Sequence, residues 1–284
     1  MERIVEKASI LIEALPYIKK FRGKEIVIKY GGAAMNNSEI RANILHDLVF
    51  MNYVGIKSVL VHGGGPMINQ KMMEHKIKPH FIEGLRYTDK QAIDIVVQTL
   101  ADINKEMVHD INQFGARAIG LSGHDNEILN VAKVQCSEDV GFVGEVVSVN
   151  VMPLRELTEF NIIPVVYPVG YDEKGDTYNV NADEASAKIA IALKAQKLMI
   201  LTGAPGIMRD LNDEDSLIST INVNEVEKLI SNNVIKGGML PKIKACSEAL
   251  KGGVTKTHII DGRVKHSLLL EIFTNQGIGT EIVM

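Results

Sequence analysis

Apolar side chains recur along residues 1–21 at Ile4, Ala8, Leu11, Leu15 and Ile18, and Val5 and Ile12 widen the stripe. Three- and four-residue spacing of this kind predicts an amphipathic helix. Pro16 sits inside the pattern, so a kink or break is expected there. The stripe is wider than a solvated arm needs, so the helix docks either on its own domain or on another subunit. From Lys24 the pattern changes to strands alternating with helices. Residues 25–30 read as a strand ending in Gly31-Gly32, followed by a helix over 38–52 with Ser38 as N-cap. A strand over 58–62 ends in Gly63-Gly64-Gly65, where Pro66 opens a helix at its first position. Asp89 caps a long helix running to about 109, and a strand follows over 116–121.

Residues 128–134 and 142–149 alternate more like an antiparallel hairpin pair. A short apolar strand over 162–167, a helix over 182–195 and a buried strand over 197–202 come next. Beyond Gly203 lie a polar loop around 212–215, a helix near 224–231 and a glycine turn at Gly237-Gly238. That turn leads into a helix over 241–250, a strand over 258–261, a helix over 265–273 and a short strand at 282–283. The order predicts one doubly wound α/β fold: a mostly parallel central sheet, helices on both faces, and two lobes around a cleft near residues 170–180.

Composition narrows the class without changing this outline. The 284 residues are 46% hydrophobic and 23% charged, with 31 Lys and Arg against 35 Asp and Glu, a net charge of -4. That balance gives no global attraction to nucleic acid or to anionic membranes, so neither is expected as a partner. No apolar run approaches the roughly 18 residues of a membrane span. Glu2, Arg3, Glu6 and Lys7 argue against a signal peptide. Cys136 and Cys246 have no CxxC spacing and read as buried thiols in a reducing, cytoplasmic setting.

Candidate chemistry gathers at the strand ends, where open α/β sheets bind ligands. Val61-His62-Gly63-Gly64-Gly65-Pro66 lets the backbone approach a ligand and aims free N–H groups at an anion; a tight turn without ligand is the plainer reading. Gly31-Gly32 gains weight from Lys29, which ends the preceding strand. Gly237-Gly238-Met239-Leu240-Pro241-Lys242 puts a second lysine at a helix start, an adverse end for a cation unless an anion sits there. Alone it could be a solvated surface lysine, but two such lysines could bracket a transferring phosphoryl group. Arg86, within Gly84-Leu-Arg-Tyr-Thr-Asp89, could grip a carboxylate bidentately or pair with a local acid. Asn179-Val-Asn-Ala-Asp183 concentrates polar groups before a helix, and Asp183 could simply cap it. His62 could act as a base, although a packed strand-end histidine is the simpler reading. The chain contains no GxxxxGK[ST], dinucleotide GxGxxG, HExxH or GxSxG pattern.

Taken together, Lys29-Tyr-Gly-Gly32, His62-Gly-Gly-Gly-Pro66, Gly84-Leu-Arg-Tyr-Thr-Asp89, Asn179-Val-Asn-Ala-Asp183 and Gly237-Gly-Met-Leu-Pro-Lys242 resemble the amino acid kinase family over essentially the whole chain. Within it they resemble the branch that phosphorylates N-acetyl-L-glutamate. The resemblance implies an oligomerisation helix over 1–23, an N-lobe over 24–178 that binds N-acetyl-L-glutamate, and a C-lobe over 179–284 that binds ATP with Mg2+, with no metal held by the protein. Lys29 and Lys242 would stabilise the transition state and Asp183 would hold both lysines. Gly64 and Gly65 would donate backbone N–H groups, Arg86 and Asn179 would position the substrate, and Gly32 and Gly63 would lie against phosphate. Thr202 and Gly237 would line the nucleotide. The nucleophile would be the substrate's γ-carboxylate, ionised at neutral pH with a reference pKa of about 4.3, so no general base is required. The termini resemble the arginine-inhibited branch, in which N-terminal helices interlace dimers into a hexamer. His266, Glu271 and Glu281 are the candidate arginine partners. One departure is Gly203, where the family usually carries aspartate. The alternatives are a related kinase acting on carbamate, aspartate, glutamate or a nucleotide, and a catalytically silent arginine sensor.

Overall fold

In a computed structural model of the chain, which describes residues 2–32, 35, 37–210, 213–274 and 277–284, the apolar strand segments lie side by side in one eight-stranded sheet. The N-terminal half supplies β1 (Glu25–Tyr30), β2 (Lys57–His62), the two-stranded β3 (Phe81–Ile82) and β4 (Leu85–Arg86), β5 (Arg117–Ser122), β6 (Leu129–Lys133), β7 (Val143–Val149), β8 (Ile162–Tyr167), β9 (Val169–Tyr171) and β10 (Thr177–Val180). The C-terminal half supplies β11 (Lys197–Thr202), β12 (Thr220–Asn222), β13 (Lys256–Asp261) and β14 (Thr280–Val283). Sheet order is β12-β14-β13-β11-β1-β2-β8-β5. All neighbours run parallel except β13 and β14, which are antiparallel. The fold is thus the mostly parallel α/β sandwich that the pattern predicts.

The helices are α1 (Glu2–Phe21), α2 (Ser38–Tyr53), α3 (Gly65–Glu74), α4 (Lys90–Gln113), α5 (Met152–Glu159), α6 (Ala182–Leu193), α7 (Val226–Ser231), α8 (Leu240–Lys251) and α9 (Ser267–Phe273). They cover both faces of the sheet, and strand alternation decides which residues each face receives. Val27 of β1 joins Ala185 and Ile189 of α6 and Ile243 of α8 in one core. Ile26, Ile28 and Tyr30 join Ile44, Leu45 and Leu48 of α2, with Leu268 and Ile272 of α9, in the other. Lys29 therefore falls on the α6/α8 face at the C-terminal end of its strand. β2 runs to one side of β1 and β11 to the other, so the chain reverses its winding at β1, the switch point where such sheets open a crevice.

Several details differ from the sequence reading. Asn37, not Ser38, caps α2, accepting from Glu39 N at 2.9 Å and Ile40 N at 3.1 Å. The expected hairpin forms as β6 and β7, but β9 and β10 join it in a closed four-stranded barrel. The boundary expected after residue 178 falls inside β10, whose pairing with β7 and β9 keeps it with the N-terminal half. α1 continues through Pro16 without a break, and its two ends fare differently. Phe21 is buried and Tyr17 packs edge-on to Phe273, whereas Ile10, Leu11 and Ile12 are 58–68% exposed. The polar loop around 212–215 lies partly outside the described residues. No helix among the described residues is long and apolar enough to cross a membrane.

Candidate active site

Three structural choices at the sheet's C-terminal edge bring the chemistry together. At α6, Asn181 accepts hydrogen bonds from Asp183 N (2.8 Å) and Glu184 N (3.4 Å) and so caps the helix. Capping by the neighbouring amide leaves the Asp183 side chain available. Its carboxylate instead bridges two cations: Oδ1 lies 2.8 Å from Lys29 Nζ, and Oδ2 accepts from Lys242 Nζ at 2.9 Å. Lys242 stands in the first turn of α8, the wrong end of the helix dipole for a cation, and Asp183 supplies the anion that makes this tolerable. Both readings left open by the sequence are thereby closed: Asp183 is not the cap, and Lys242 is not a solvated lysine.

Burial sets the electrostatics. Lys29 and Asp183 are each 5% exposed. Loss of water pulls the Lys29 ammonium below its ordinary range, with Asp183 opposing the fall and Lys242 adding to it. Burial pushes the Asp183 carboxyl up, but the combined pull of Lys29 and Lys242 leaves it below the ordinary carboxylate range. Asp183 is therefore an anion that holds two cations: Lys29, which lines a cleft with it, and Lys242, which reaches it from α8 without lining that cleft.

That cleft has a volume of about 240 Å³, and Lys29, Asp183, Asn179, Arg86, Gly32 and the Gly63–Gly65 turn all line it. A larger, open hollow of about 430 Å³ lies on the outer face of α4 against Gly175–Thr177. None of the glycine turns or buried charges lines it, so the chemistry belongs to the smaller cleft. At two glycines a side chain would press on the site and shift its neighbours. A Cβ on Gly31 would meet Lys29 Nζ at 2.9 Å, and one on Gly64 would meet Ile103 and Leu100 at 2.8 and 2.9 Å. Gly63 lines the cleft, yet its N–H donates to the Tyr30 carbonyl at 2.8 Å. Among the described residues the Gly64 and Gly65 N–H groups have no such partner, so they, and not Gly63, are free to face an anion.

Arg86 is 8% exposed and meets no carboxylate among the described residues. Its Nη2 donates to Gly65 O at 3.3 Å, its Nη1 to Met72 Sδ at 3.2 Å, and Phe81 covers its face at 4.8 Å. Burial lowers its pKa, and no neighbouring anion offsets this. The result is an oriented guanidinium with its charge uncompensated. Asn179 Nδ2 lies 3.5 Å from Thr88 Oγ1, a long contact that leaves its amide open to a ligand. Thr202 and Gly237 do not line this cleft: Thr202 ends β11, and Gly237 opens the turn into α8.

His62 is fully buried, and burial lowers its pKa to about 4. It is a neutral packed residue, not a base. The arginine candidates divide. His266 Nδ1 lies 2.7 Å from Asp47 Oδ1 on α2. Glu271 Oε1 lies 2.7 Å from His258 Nδ1, its Oε2 accepts from Ile278 N at 2.9 Å, and Glu281 pairs with Lys256 at 2.6 Å. Lys197 joins Glu271 through His258 Nε2, 2.8 Å from its Nζ, and burial lowers Lys197 to about 8. Sequence reasoning missed Lys197 and His258. A lysine opening a wholly buried strand was the available signal.

Known proteins resemble this chain in sequence and fold. The model of the amino acid kinase family matches residues 24–261. An acetylglutamate kinase from Heliobacterium modesticaldum is 49% identical over 294 residues, covering 100% of both chains. Solved N-acetylglutamate synthase from Neisseria gonorrhoeae, complexed with coenzyme A and N-acetyl-glutamate, superposes with a TM-score of 0.86 at 25% identity. The match takes in 98% of this chain but only 63% of the synthase's length. Carbamate kinase from Giardia lamblia bound to AMP-PNP shares the fold at a TM-score of 0.66 and 17% identity, covering 92% of this chain and 98% of its own. The family model spans most of the chain and the relative matches it from end to end, so the chain belongs to the amino acid kinase family, among the acetylglutamate kinases.

Proposed function

We propose that the chain transfers the γ-phosphoryl group of ATP to the γ-carboxylate of N-acetyl-L-glutamate, giving N-acetyl-L-glutamyl 5-phosphate and ADP, the second step of arginine biosynthesis. The observation that carries this reading is the buried Lys29–Asp183–Lys242 bridge, with two glycine N–H groups in the same site that have no partner among the described residues. Arg86 binds a carboxylate of the substrate, because its buried charge has no protein anion to neutralise it. Asn179 orients the same molecule from β10.

A γ-carboxylate oxygen attacks the γ-phosphorus. As that bond forms, the bond to the bridging oxygen breaks and its electron pair leaves on ADP. Charge spreads over the phosphoryl oxygens, where Lys29, Lys242 and the Gly64 and Gly65 N–H groups neutralise it. No protein base is needed, since the nucleophile is already ionised. The nucleotide lies towards Thr202 and Gly237, on the C-terminal side of the cleft, with the segments before and after β10 forming the two binding lobes. A protein-held magnesium ion does not fit this site: among the described residues Asp183 is the one carboxylate lining the cleft, and both its oxygens face lysines. Magnesium would come on the ATP phosphates.

The regulatory part of the proposal is inhibition by arginine. Glu271, Glu281 and His266 are each paired within the chain, with His258, Lys256 and Asp47, so a guanidinium would bind the two acids by displacing or sharing those partners. A homohexamer is proposed from Ile10, Leu11, Ile12 and Leu15 of α1, which stay exposed in the single chain. The deciding assay is acyl phosphate formation trapped with hydroxylamine, using N-acetylglutamate, glutamate, aspartate and carbamate, each with and without arginine. Activity on N-acetylglutamate supports the reading, and a folded chain silent on all four overturns it. Removing residues 1–15, which spares Tyr17 and Phe21, should yield an active dimer with a blunted arginine response. A hexamer after that truncation would remove α1 from the assembly.

A further inference from the structure

His62 sits beside the phosphoryl site, but the proposed mechanism gives it no task. Its surroundings fix its proton. Nδ1 lies 2.9 Å from the Gly63 carbonyl oxygen, which only accepts, so Nδ1 must carry the hydrogen. Nε2 lies 3.0 Å from Asn104 Nδ2, and that same amide nitrogen donates to the Val165 carbonyl at 2.8 Å. A nitrogen facing a carbonyl oxygen must be the NH2 group, so Asn104 donates to Nε2 as well. The ring is thus held as the neutral Nδ1–H tautomer, and its full burial is consistent with that state.

The consequence lies in the next peptide unit. A trans peptide points its C=O and N–H in opposite directions, and the chain has no cis peptide among the described residues. Fixing the Gly63 carbonyl therefore fixes the Gly64 N–H, one of the two glycine donors with no partner among the described residues. Glycines on both sides make this peptide easy to rotate, since neither has a Cβ to resist it. We propose that His62, itself oriented by Asn104 of α4, is a positioning residue that locks the Gly63–Gly64 peptide so that the Gly64 N–H faces the transferring phosphoryl group.

This inference rests on the phosphoryl-transfer reading of the site, and the test separates the two. Asparagine places its amide near the position of Nδ1, and glutamine places its amide near that of Nε2. His62→Asn thus keeps a donor for the Gly63 carbonyl, while His62→Gln keeps only the contact with Asn104. Steady-state ADP release is measured for wild type, both variants and Asn104→Ala, with a thermal midpoint for each. Loss of one preorganised donor costs about 10²–10³ in kcat. A donor that is free to rotate but still present should cost less, about 10–100-fold in kcat for His62→Gln, with both KM values within about threefold. His62→Asn should stay within about threefold of wild type, and Asn104→Ala should fall between them. Equal kcat in the two His62 variants, whether both normal or both impaired, overturns the assignment. If His62→Gln does not fold, Asn104→Ala decides: a folded variant with unchanged kcat overturns it. A folded wild type inactive on N-acetylglutamate would instead overturn the phosphoryl-transfer reading.

Discussion

Replacing Asp183 with asparagine tests the electrostatic logic of the cleft with little change in shape. Two ammonium groups stand 2.8 and 2.9 Å from its two carboxylate oxygens. At an effective permittivity of about 20, an ion pair at about 4 Å is worth about 4 kcal/mol, and each contact here is at least that close. The variant loses both attractions. It also leaves two cations within about 8 Å of each other, a repulsion of about 2 kcal/mol on the same scale. Water entering through the cleft relaxes part of this, so the expected loss of stability is about 3–5 kcal/mol, the usual cost of breaking a buried pair from one side.

The functional effect follows from Lys29. Its pKa is already lowered by burial, and Asp183 is the main influence raising it again. Without that anion, Lys29 gives up its proton at lower pH, and only the cationic form can neutralise phosphoryl oxygens. The sign is therefore fixed: turnover of Asp183→Asn should fall as pH rises over the range in which it stays folded, on top of a loss of about 10²–10³ in kcat. Wild type should be much flatter over that range. The assay is ADP release at saturating substrates, corrected for the folded fraction at each pH. A folded Asp183→Asn enzyme whose kcat does not depend on pH would refute the claim that the carboxylate keeps Lys29 charged.

Three further outcomes are expected. Lys29→Ala and Lys242→Ala should each lower kcat by about 10²–10³ while thermal unfolding stays cooperative; near-normal turnover in either removes that lysine from the transition state. Arg86→Lys loses the planar fork held by Gly65 O and Met72, so KM for N-acetylglutamate should rise about 10–100-fold with kcat changed far less; an unchanged KM would mean the guanidinium does not bind substrate. His62, lowered to about 4 in the fold against about 6.5 unfolded, contributes stability that is complete above pH 6.5 and lost as pH falls towards 4. Wild type should therefore lose about 2–3 kcal/mol more than His62→Asn between pH 7 and pH 4.5 in urea unfolding. Parallel losses in the two proteins would contradict a buried neutral ring.

Much of the fold was legible because its signals are local. β1, β2, β8 and β11 each hold an unbroken apolar run of three or more residues, as strands covered on both faces do, and a glycine turn or polar cap follows most of them. The four-stranded barrel was half legible. β6 and β7 alternate, but β9 has three residues and β10 four, too few for a period to show. β10 closes the barrel by pairing Asn179 with Val143, a register that no neighbouring residue encodes. The same limit explains Lys197, His258 and Glu271. The Lys197–His258 contact spans 61 residues, and each partner looks like an isolated polar residue until the sheet brings them together.

Within the cleft, the decisive ambiguity lay between two side chains that sequence chemistry treats alike. Asn181 and Asp183 are both good N-caps, and both stand at the start of α6. The structure gives the cap to Asn181, and the electrostatics explain why that division is the productive one. An aspartate used as the cap would spend its charge on backbone N–H groups and leave Lys29 buried opposite Lys242 with no anion between them. With the neutral amide as cap, the charged residue is free to face the lysines, which come from β1 at the switch point and from α8. One carboxylate then ties a strand of the N-terminal half to a helix of the C-terminal half, and the two cations that must meet the phosphoryl group are set by the packing of the sheet rather than by mobile loops.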